Sequence, residues 1–370
     1  MDNVSHITII GGGNGAFAAS AHLSRQGCAV SLCDPYRDGE SLRPLMSDQI
    51  LKYTGVMGEG QVKLQQVTAD LKEALQGSEF ILVCVPTSTH ATVAHWLAPL
   101  LEPSAPILLD PGHTGGALHF KHTLTQAGYR GDLILGETNT LTYIARKTDP
   151  VSVHISNIAG NIYVSSLPGQ NLARLMEKTR LLFPDLQPQD TIIGTSLRNA
   201  NSIMHPPGMI LAAVWVETHG GEWFFYYDAA TPAVENLMQA IDNERLRIAS
   251  AWDVQVEPLI DMLAKIGTTT EAARQSRSLR QAFLESTPNR FIKSPRSLDD
   301  RYMHEDIGYG LVPMLALGKL AGVEAPVMES LVTIASIINA IDYRKAGLNA
   351  EKMGLDGMAK IEAQAYFHKG

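Results

Sequence analysis

Residues 6–34, HITIIGGGNGAFAASAHLSRQGCAVSLCD, predict a strand, a glycine turn, a helix and a second strand. The apolar runs His6–Ile10 and Ala29–Cys33 are typical of parallel strands that are covered on both faces. Between them, the Ala-rich segment from Ala16 to Gln26 predicts a helix that ends at Gly27. This order of elements predicts a parallel α/β sheet in the N-terminal part of the chain.

The turn within this stretch fits the fingerprint of a dinucleotide-binding site. Gly11 allows a tight turn, Gly13 leaves room for a pyrophosphate against the backbone, and Ala16 lets the helix pack close to the strand. The helix N-terminus, which contains Asn14 and Gly15, offers N–H groups and a positive dipole to the phosphates. We therefore predict that these five residues bind a dinucleotide; a purely structural glycine turn is the alternative.

The end of the second strand bears on the kind of dinucleotide. Asp34 follows Gly13 by 21 residues, where a carboxylate accepts hydrogen bonds from an adenosine ribose and repels a 2′-phosphate, which favours NAD. Arg37 offers a guanidinium for a 2′-phosphate, so NADP remains an alternative. Pro86 ends another apolar run, at the sheet edge where ligands gather, and is also predicted to contact the cofactor.

Composition excludes several classes of partner. A net charge of −8 without a run of Lys or Arg argues against nucleic acid and against an anionic membrane surface. The three cysteines lack metal-ligand spacing, so no metal site is predicted, and they indicate buried thiols in a reducing compartment. No apolar stretch approaches the length of a membrane span, and the first strand leaves no room for a signal peptide. We therefore expect a cytoplasmic protein.

Hydrophobic periodicity changes along the chain. Strands alternate with helices in the first part, which predicts a doubly wound Rossmann sheet, and alternation around Ala159-Gly160 suggests a hairpin of residues 151–155 and 161–165. After residues 187–190 the periodicity is helical, most clearly at 196–204, 231–251, 256–265 and 326–340. We predict a dinucleotide-binding Rossmann domain over residues 1–188 and a mainly helical substrate domain over 189–370, with the active site in a cleft between them.

Two stretches of the second half contain candidate site residues. In SLRNANSIMHPPG, residues 196–208, helical spacing places Asn201 and His205 on one face. We predict that Asn201 binds the substrate, and an imidazole suits proton donation to a carbonyl or imine. Alternatively, His205 forms a hydrogen bond with a backbone carbonyl where two prolines break the helix.

The second stretch is RYMHEDIG, residues 301–308. Here Asp306 would orient a histidine, and Arg301 would bind a substrate carboxylate. Alternatively, the acidic residues lie in a first helical turn because they suit the helix dipole.

Two other features of the sequence are alternative candidates. His113 follows a strand and is a rival histidine, but the neighbouring glycines suggest a backbone loop against the cofactor, so His113 ranks below His205. The cluster WFFYY, residues 223–227, is typical of core packing, and a pocket wall for an amino-acid side chain is the alternative.

These residues resemble the octopine/opine dehydrogenase family, and most closely its bacterial N-(1-carboxyethyl)-norvaline type. The likeness covers nearly the whole chain and keeps the order and spacing of its motifs. They are the glycine turn, DPGHTGGAL at 110–118, GET at 136–138, residues 199–206, Thr231-Pro232, and residues 301–313.

The resemblance implies a Rossmann domain joined to a helical domain, and NAD(P)H-dependent condensation of an amino acid with a 2-oxo acid, commonly pyruvate. The family's catalytic histidine falls on His205, its supporting aspartate on Asp306 and its carboxylate-binding arginine on Arg301. The open alternatives are a 2-hydroxy-acid or hydroxy-phosphate dehydrogenase and a non-catalytic NAD(H) sensor. A homodimer is left open as the assembly.

Overall fold

The computed structural model describes residues 5–370, which divide into two compact units. The first unit takes the described residues up to Gly112 together with Gly116–Ile192 and Ala365–Gly370. The second takes His113–Gly115 and Ile193–Gln364. The first unit is α/β and the second is helical, which confirms the predicted fold class.

All strands lie in the first unit within the described chain. They are β1 His6–Ile10, β2 Ala29–Cys33, β3 Ile50–Gly55, β4 Gly60–Lys63, β5 Gln66–Thr68, β6 Phe80–Val83, β7 Pro106–Leu109, β8 Ile134–Thr138, β9 Tyr143–Asp149, β10 Ser152–Ile158, β11 Tyr163–Leu167 and β12 Gln187–Pro188. The larger sheet has the order β12-β11-β8-β7-β6-β1-β2-β5. From β5 to β8 its pairs are parallel, and the strand order is that of a doubly wound dinucleotide-binding sheet. Its switch point lies between β1 and β6, where the glycine turn follows β1.

A second sheet has the order β4-β3-β10-β9. The predicted hairpin of residues 151–165 is wrong: β10 pairs with β9 and β3, whereas β11 pairs with β8 in the larger sheet. The burial patterns give the physical reason. In β10 buried residues alternate with exposed ones, as in a sheet covered on one face, while β11 is buried at four of its five positions and belongs in a sheet covered on both faces.

The helices are α1 Asn14–Arg25, α2 Arg43–Met46, α3 Leu71–Ala74, α4 His90–Leu97, α5 Gly116–Gln126, α6 Leu172–Leu182, α7 Ile192–Ser196, α8 Asn201–Leu211, α9 Ala213–His219, α10 Phe225–Asp228, α11 Pro232–Ala251, α12 Leu259–Lys265, α13 Glu271–Ser276, α14 Leu279–Leu284, α15 Arg301–Asp306, α16 Val312–Leu320, α17 Pro326–Asn339, α18 Tyr343–Ala346 and α19 Lys360–Lys369. Helix α1 packs against strands of both sheets. Its alanines at 16, 18, 19 and 21 are fully buried, because small side chains are needed on both sides of a helix between two sheets.

Helix α8 is central to the second unit, where it packs against α11, α15 and α17. The helix continues through Pro206 and Pro207, so the interpretation in which these prolines break it is wrong. Burial of the whole segment from Ser202 to Met209 offsets the lost backbone hydrogen bonds. A π-helical turn, Ile307–Leu311, follows α15 directly. Within residues 5–370, no helix is long and apolar enough to cross a membrane.

Candidate functional site

The glycine turn after β1 has the geometry that a pyrophosphate requires. Gly11 has a φ of +135°, and a Cβ there would lie 2.4 Å from the carbonyl oxygen of Cys84, so only glycine fits. A Cβ at Gly13 would meet nothing within 4 Å, which leaves open space beside the N-terminus of α1. Gly13 is the N-cap and brings no side-chain acceptor to this helix end. The turn therefore fits a bound dinucleotide.

The other predicted residues of the turn serve the packing around it. Ala16 is fully buried, and a Cβ at Gly15 would lie 2.9 Å from Leu141 Cδ1. The Asn14 side-chain oxygen accepts a hydrogen bond at 2.9 Å from the backbone N–H of Lys147. Pro86 follows β6, and its carbonyl accepts hydrogen bonds from the backbone N–H and hydroxyl of Thr89.

Asp34 lies at the end of β2 beside the glycine turn. Its Oδ2 accepts a hydrogen bond from the Ser41 hydroxyl at 2.5 Å, and its Oδ1 accepts one from the Tyr36 N–H at 3.2 Å. These donors orient the carboxylate. Arg37 is 70% exposed and pairs loosely with Glu40 at 3.9 Å.

The sequence did not reveal a cation at this turn. Lys147 of β9 donates from Nζ to the Gly12 carbonyl at 3.2 Å and lies 3.6 Å from the centre of the Phe17 ring. Burial lowers the pKa of Lys147, and the nearby Asp34 carboxylate opposes this shift. Strand β9 has few apolar residues, so the hydrophobic pattern does not disclose it.

In the second unit, His205 and Asp306 form a buried pair. His205 Nδ1 lies 2.6 Å from Asp306 Oδ2, and the two side chains are 4% and 3% exposed. Helix α8 presents the histidine, and the last residue of α15 presents the carboxylate. Such a carboxylate orients an imidazole and stabilises its protonated form.

Aromatic rings enclose this imidazole. The Tyr302 ring stacks on it, with centroids 3.7 Å apart and planes 4° from parallel. The Phe225 ring meets its edge at 5.8 Å. The Tyr226 hydroxyl lies 2.6 Å from His205 Nε2, so the second ring nitrogen also has a partner. Phe225 and Tyr226 come from the aromatic cluster that the sequence pattern assigned to packing or to a pocket wall, and the polar contact was missed.

Arg301, Glu305 and His113 lie beside this pair. Arg301 Nη2 is 3.0 Å from Glu305 Oε2, and the arginine side chain is 61% exposed, whereas the glutamate is buried. His113 Nδ1 lies 3.7 Å from Glu305 Oε1. Burial lowers the pKa of His113, against the opposing effect of the Glu305 and Asp306 carboxylates. The structure thus brings the rival histidine into the same cluster as His205.

Close packing sets the distance between the helices that carry the pair. A Cβ at Gly310 would lie 1.8 Å from Ser202 Oγ, so α8 meets the π-helical turn through two small residues. The Asn199 side chain donates to Ser202 Oγ at 2.8 Å and to Thr114 Oγ1 at 3.1 Å. Asn201 is the first residue of α8, one turn before His205, and is partly buried.

Comparison with known proteins gives one consistent result. Residues 188–339 match the family model of the NAD/NADP octopine/nopaline dehydrogenase alpha-helical domain. The chain is 29% identical over 351 residues to an opine dehydrogenase of Arthrobacter sp. (strain 1C), covering 95% of each chain. The structure of octopine dehydrogenase with NADH and L-arginine has a TM-score of 0.77 at 20% identity, covering 99% of this chain and 98% of that one. Yersinopine dehydrogenase with NADP+ has a TM-score of 0.75 at 17% identity, covering 100% and 99%.

The solved structures share the fold of this chain, and the sequence matches extend over both of its units. An α/β unit with a dinucleotide turn, followed by a helical unit with a buried histidine–aspartate pair, defines an NAD(P)-dependent oxidoreductase. Residues 188–339 are similar to the alpha-helical domain of the octopine/nopaline dehydrogenases, and nearly the whole chain is similar to an opine dehydrogenase.

Proposed function

We propose that the protein is an opine dehydrogenase that condenses an amino acid with a 2-oxo acid, first of all pyruvate, and reduces the product to an N-(carboxyalkyl)amino acid. The reverse oxidation uses the same groups. One observation carries the proposal: the pair of His205 with Asp306 lies beside Arg301, so proton transfer and carboxylate binding are available in one cluster.

The residues of this cluster have separate roles in substrate binding and proton transfer. Arg301 binds the carboxylate of the oxo acid, since its guanidinium is exposed and offers two parallel N–H donors. The amine attacks the oxo carbon, and loss of water from this adduct requires a proton on the departing hydroxyl. The protonated His205 is the source of that proton, and Asp306 stabilises the imidazolium beforehand.

The first unit holds the cofactor. Gly11 and Gly13 accommodate the pyrophosphate, and Asp34 accepts hydrogen bonds from the ribose. When bound, NAD(P)H supplies the hydride that reduces the imine carbon. Lys147 would hold the Gly12 carbonyl, and with it the shape of the turn that receives the pyrophosphate.

The test is the dependence of cofactor oxidation on the amine. NADH and NADPH oxidation are followed with pyruvate alone and with pyruvate plus single amino acids, and products are identified by mass spectrometry. Oxidation that requires an amino acid, with a product containing both substrates, supports the proposal. Oxidation with pyruvate alone would favour a 2-hydroxy-acid dehydrogenase instead, and tight NAD(H) binding without turnover would favour a sensor.

Location and assembly complete the proposal. The three free cysteines, at positions 28, 33 and 84, fit the reducing environment of the cytoplasm. The homodimer stays a prediction, and size-exclusion chromatography with light scattering tests it.

A further inference from the structure

Both ring nitrogens of His205 are occupied by protein groups. Nδ1 is 2.6 Å from Asp306 Oδ2, and Nε2 is 2.6 Å from the Tyr226 hydroxyl. Tyr302 covers one face of the ring, and Phe225 meets its edge. A substrate can therefore receive a proton directly from this imidazole only after Tyr226 has moved away.

The geometry points to Tyr226 as the residue that gives the proton to the substrate, with the His205–Asp306 pair behind it as the source. This inference rests on the proposed function. It makes Tyr226 the catalytic acid for loss of water and gives His205 and Asp306 the task of reprotonating it.

The transfer balances without a charged tyrosine. The Tyr226 hydroxyl gives its proton to the hydroxyl of the amine adduct, whose C–O bond breaks to release water. The nitrogen lone pair forms the C=N bond of a protonated imine, which takes up the positive charge that His205 loses. In the same event the protonated His205 passes its Nε2 proton to the phenolic oxygen. Tyr226 ends neutral, His205 ends neutral, and Asp306 remains ionised.

A concerted transfer suits the surroundings of Tyr226. Burial, and then the neighbouring Tyr302, raise the pKa of Tyr226 well above its usual range, with Asp306 adding to the effect and Arg301 opposing it. A free phenolate at Tyr226 is therefore unfavourable. If His205 Nε2 reprotonates the phenolic oxygen as the proton leaves, no phenolate has to form. Tyr226 is also less buried than His205, at 9% against 3% exposure.

The variant Tyr226→Phe isolates the hydroxyl. The ring keeps its contacts with Phe225 and Phe283, whose centroids lie 5.4 and 5.9 Å away, so the fold is retained. Tyr227→Phe is the matched control, because its neighbouring phenol is 39% exposed and lies against Arg290. We expect kcat for amine-dependent oxidation to fall by about 100-fold or more in Tyr226→Phe. The Kd for NAD(P)H should be unchanged in both variants, as should kcat in Tyr227→Phe.

Proton inventories distinguish a proton relay through Tyr226 from a role of Tyr226 in packing alone. In mixtures of H₂O and D₂O, the wild type should show a curved dependence of kcat, because two protons move together, and the residual activity of Tyr226→Phe should show a linear one. Turnover of Tyr226→Phe equal to or above that of the wild type would show that Tyr226 only covers Nε2, and would overturn the inference while leaving the opine reaction intact. Absence of amine-dependent turnover in the wild type would overturn both.

Discussion

His205 Nδ1 and Asp306 Oδ2 lie 2.6 Å apart although 101 positions separate the two residues in the sequence. Both side chains are almost completely buried, so neither group has water as a substitute partner. Removal of one member therefore leaves the other unpaired in a site of low dielectric constant. This pairing makes the carboxylate as important to the proposed chemistry as the imidazole that it holds.

Asp306→Asn should lower kcat by about 100-fold or more, because a neutral amide keeps the shape of the pair but cannot stabilise the imidazolium. Asp299→Asn is a matched control, since Asp299 Oδ1 contacts His304 Nε2 at 2.7 Å on the surface, where the aspartate is 93% exposed. Steady-state kinetics and cofactor titrations check both variants. Equal losses in the two variants would contradict the assigned role of Asp306.

Arg301→Ala should chiefly raise the KM for the oxo acid. A hydrogen bond to a charged group contributes about 1.5–3 kcal/mol, which corresponds to roughly 10- to 100-fold. Arg301→Lys should fall between alanine and the wild type, because an ammonium binds a carboxylate without the two-pronged geometry. Arg277→Ala, which removes a guanidinium that pairs with Asp261 on the surface, serves as the control. A change confined to the KM of the amine would argue for a different ligand at Arg301.

Asp110→Asn should change how stability depends on pH. Asp110 is fully buried, and burial raises the pKa of its carboxyl to about 6, against hydrogen bonds from Thr138 and Thr142. The folded state thus binds the proton more tightly than the unfolded state. The contribution of Asp110 to the free energy of unfolding is therefore fully present below about pH 4 and is lost as the pH rises through 6, by a few kcal/mol in order of magnitude.

The asparagine variant lacks this titration, so its stability relative to the wild type should increase between pH 4 and 7. Urea unfolding midpoints at both pH values measure the difference, with the exposed Asp356→Asn as a control. A relative stability that does not vary with pH would show that Asp110 is ionised throughout this range.

Lys147→Met should weaken cofactor binding. Methionine keeps the apolar contact with Phe17 but removes the hydrogen bond to the Gly12 carbonyl, which is 3.2 Å long. Loss of a bond worth about 0.5–1.5 kcal/mol predicts a Kd for NADH or NADPH that is roughly 2- to 10-fold higher. Fluorescence titration measures this Kd, and Lys52→Met, an exposed position of β3, is the control. An unchanged Kd would mean that the turn holds its shape without Lys147.

Local patterns accounted for much of the fold. The limits of β1 and β2 agree with the sequence prediction, as do the helices α11 and α17 to within a residue at each end, because period and turn residues act over short distances. The partners of β10 and β11 could not be obtained in this way, since strand pairing depends on residues far apart in the chain. Non-local geometry also governs the candidate site, where no spacing rule links Tyr226 to His205.

The contact of Gly310 with Ser202 ties the spacing of the two helices to the chemistry that they carry. Ser202 comes three residues before His205, and Gly310 comes four residues after Asp306. A methyl group at position 310 would push the two helices apart and lengthen the distance between His205 and Asp306, although it would contact none of the reacting atoms. In laboratory evolution towards new substrates, we therefore expect Ser202 and Gly310 to remain unchanged, while substitutions accumulate at other positions around the site.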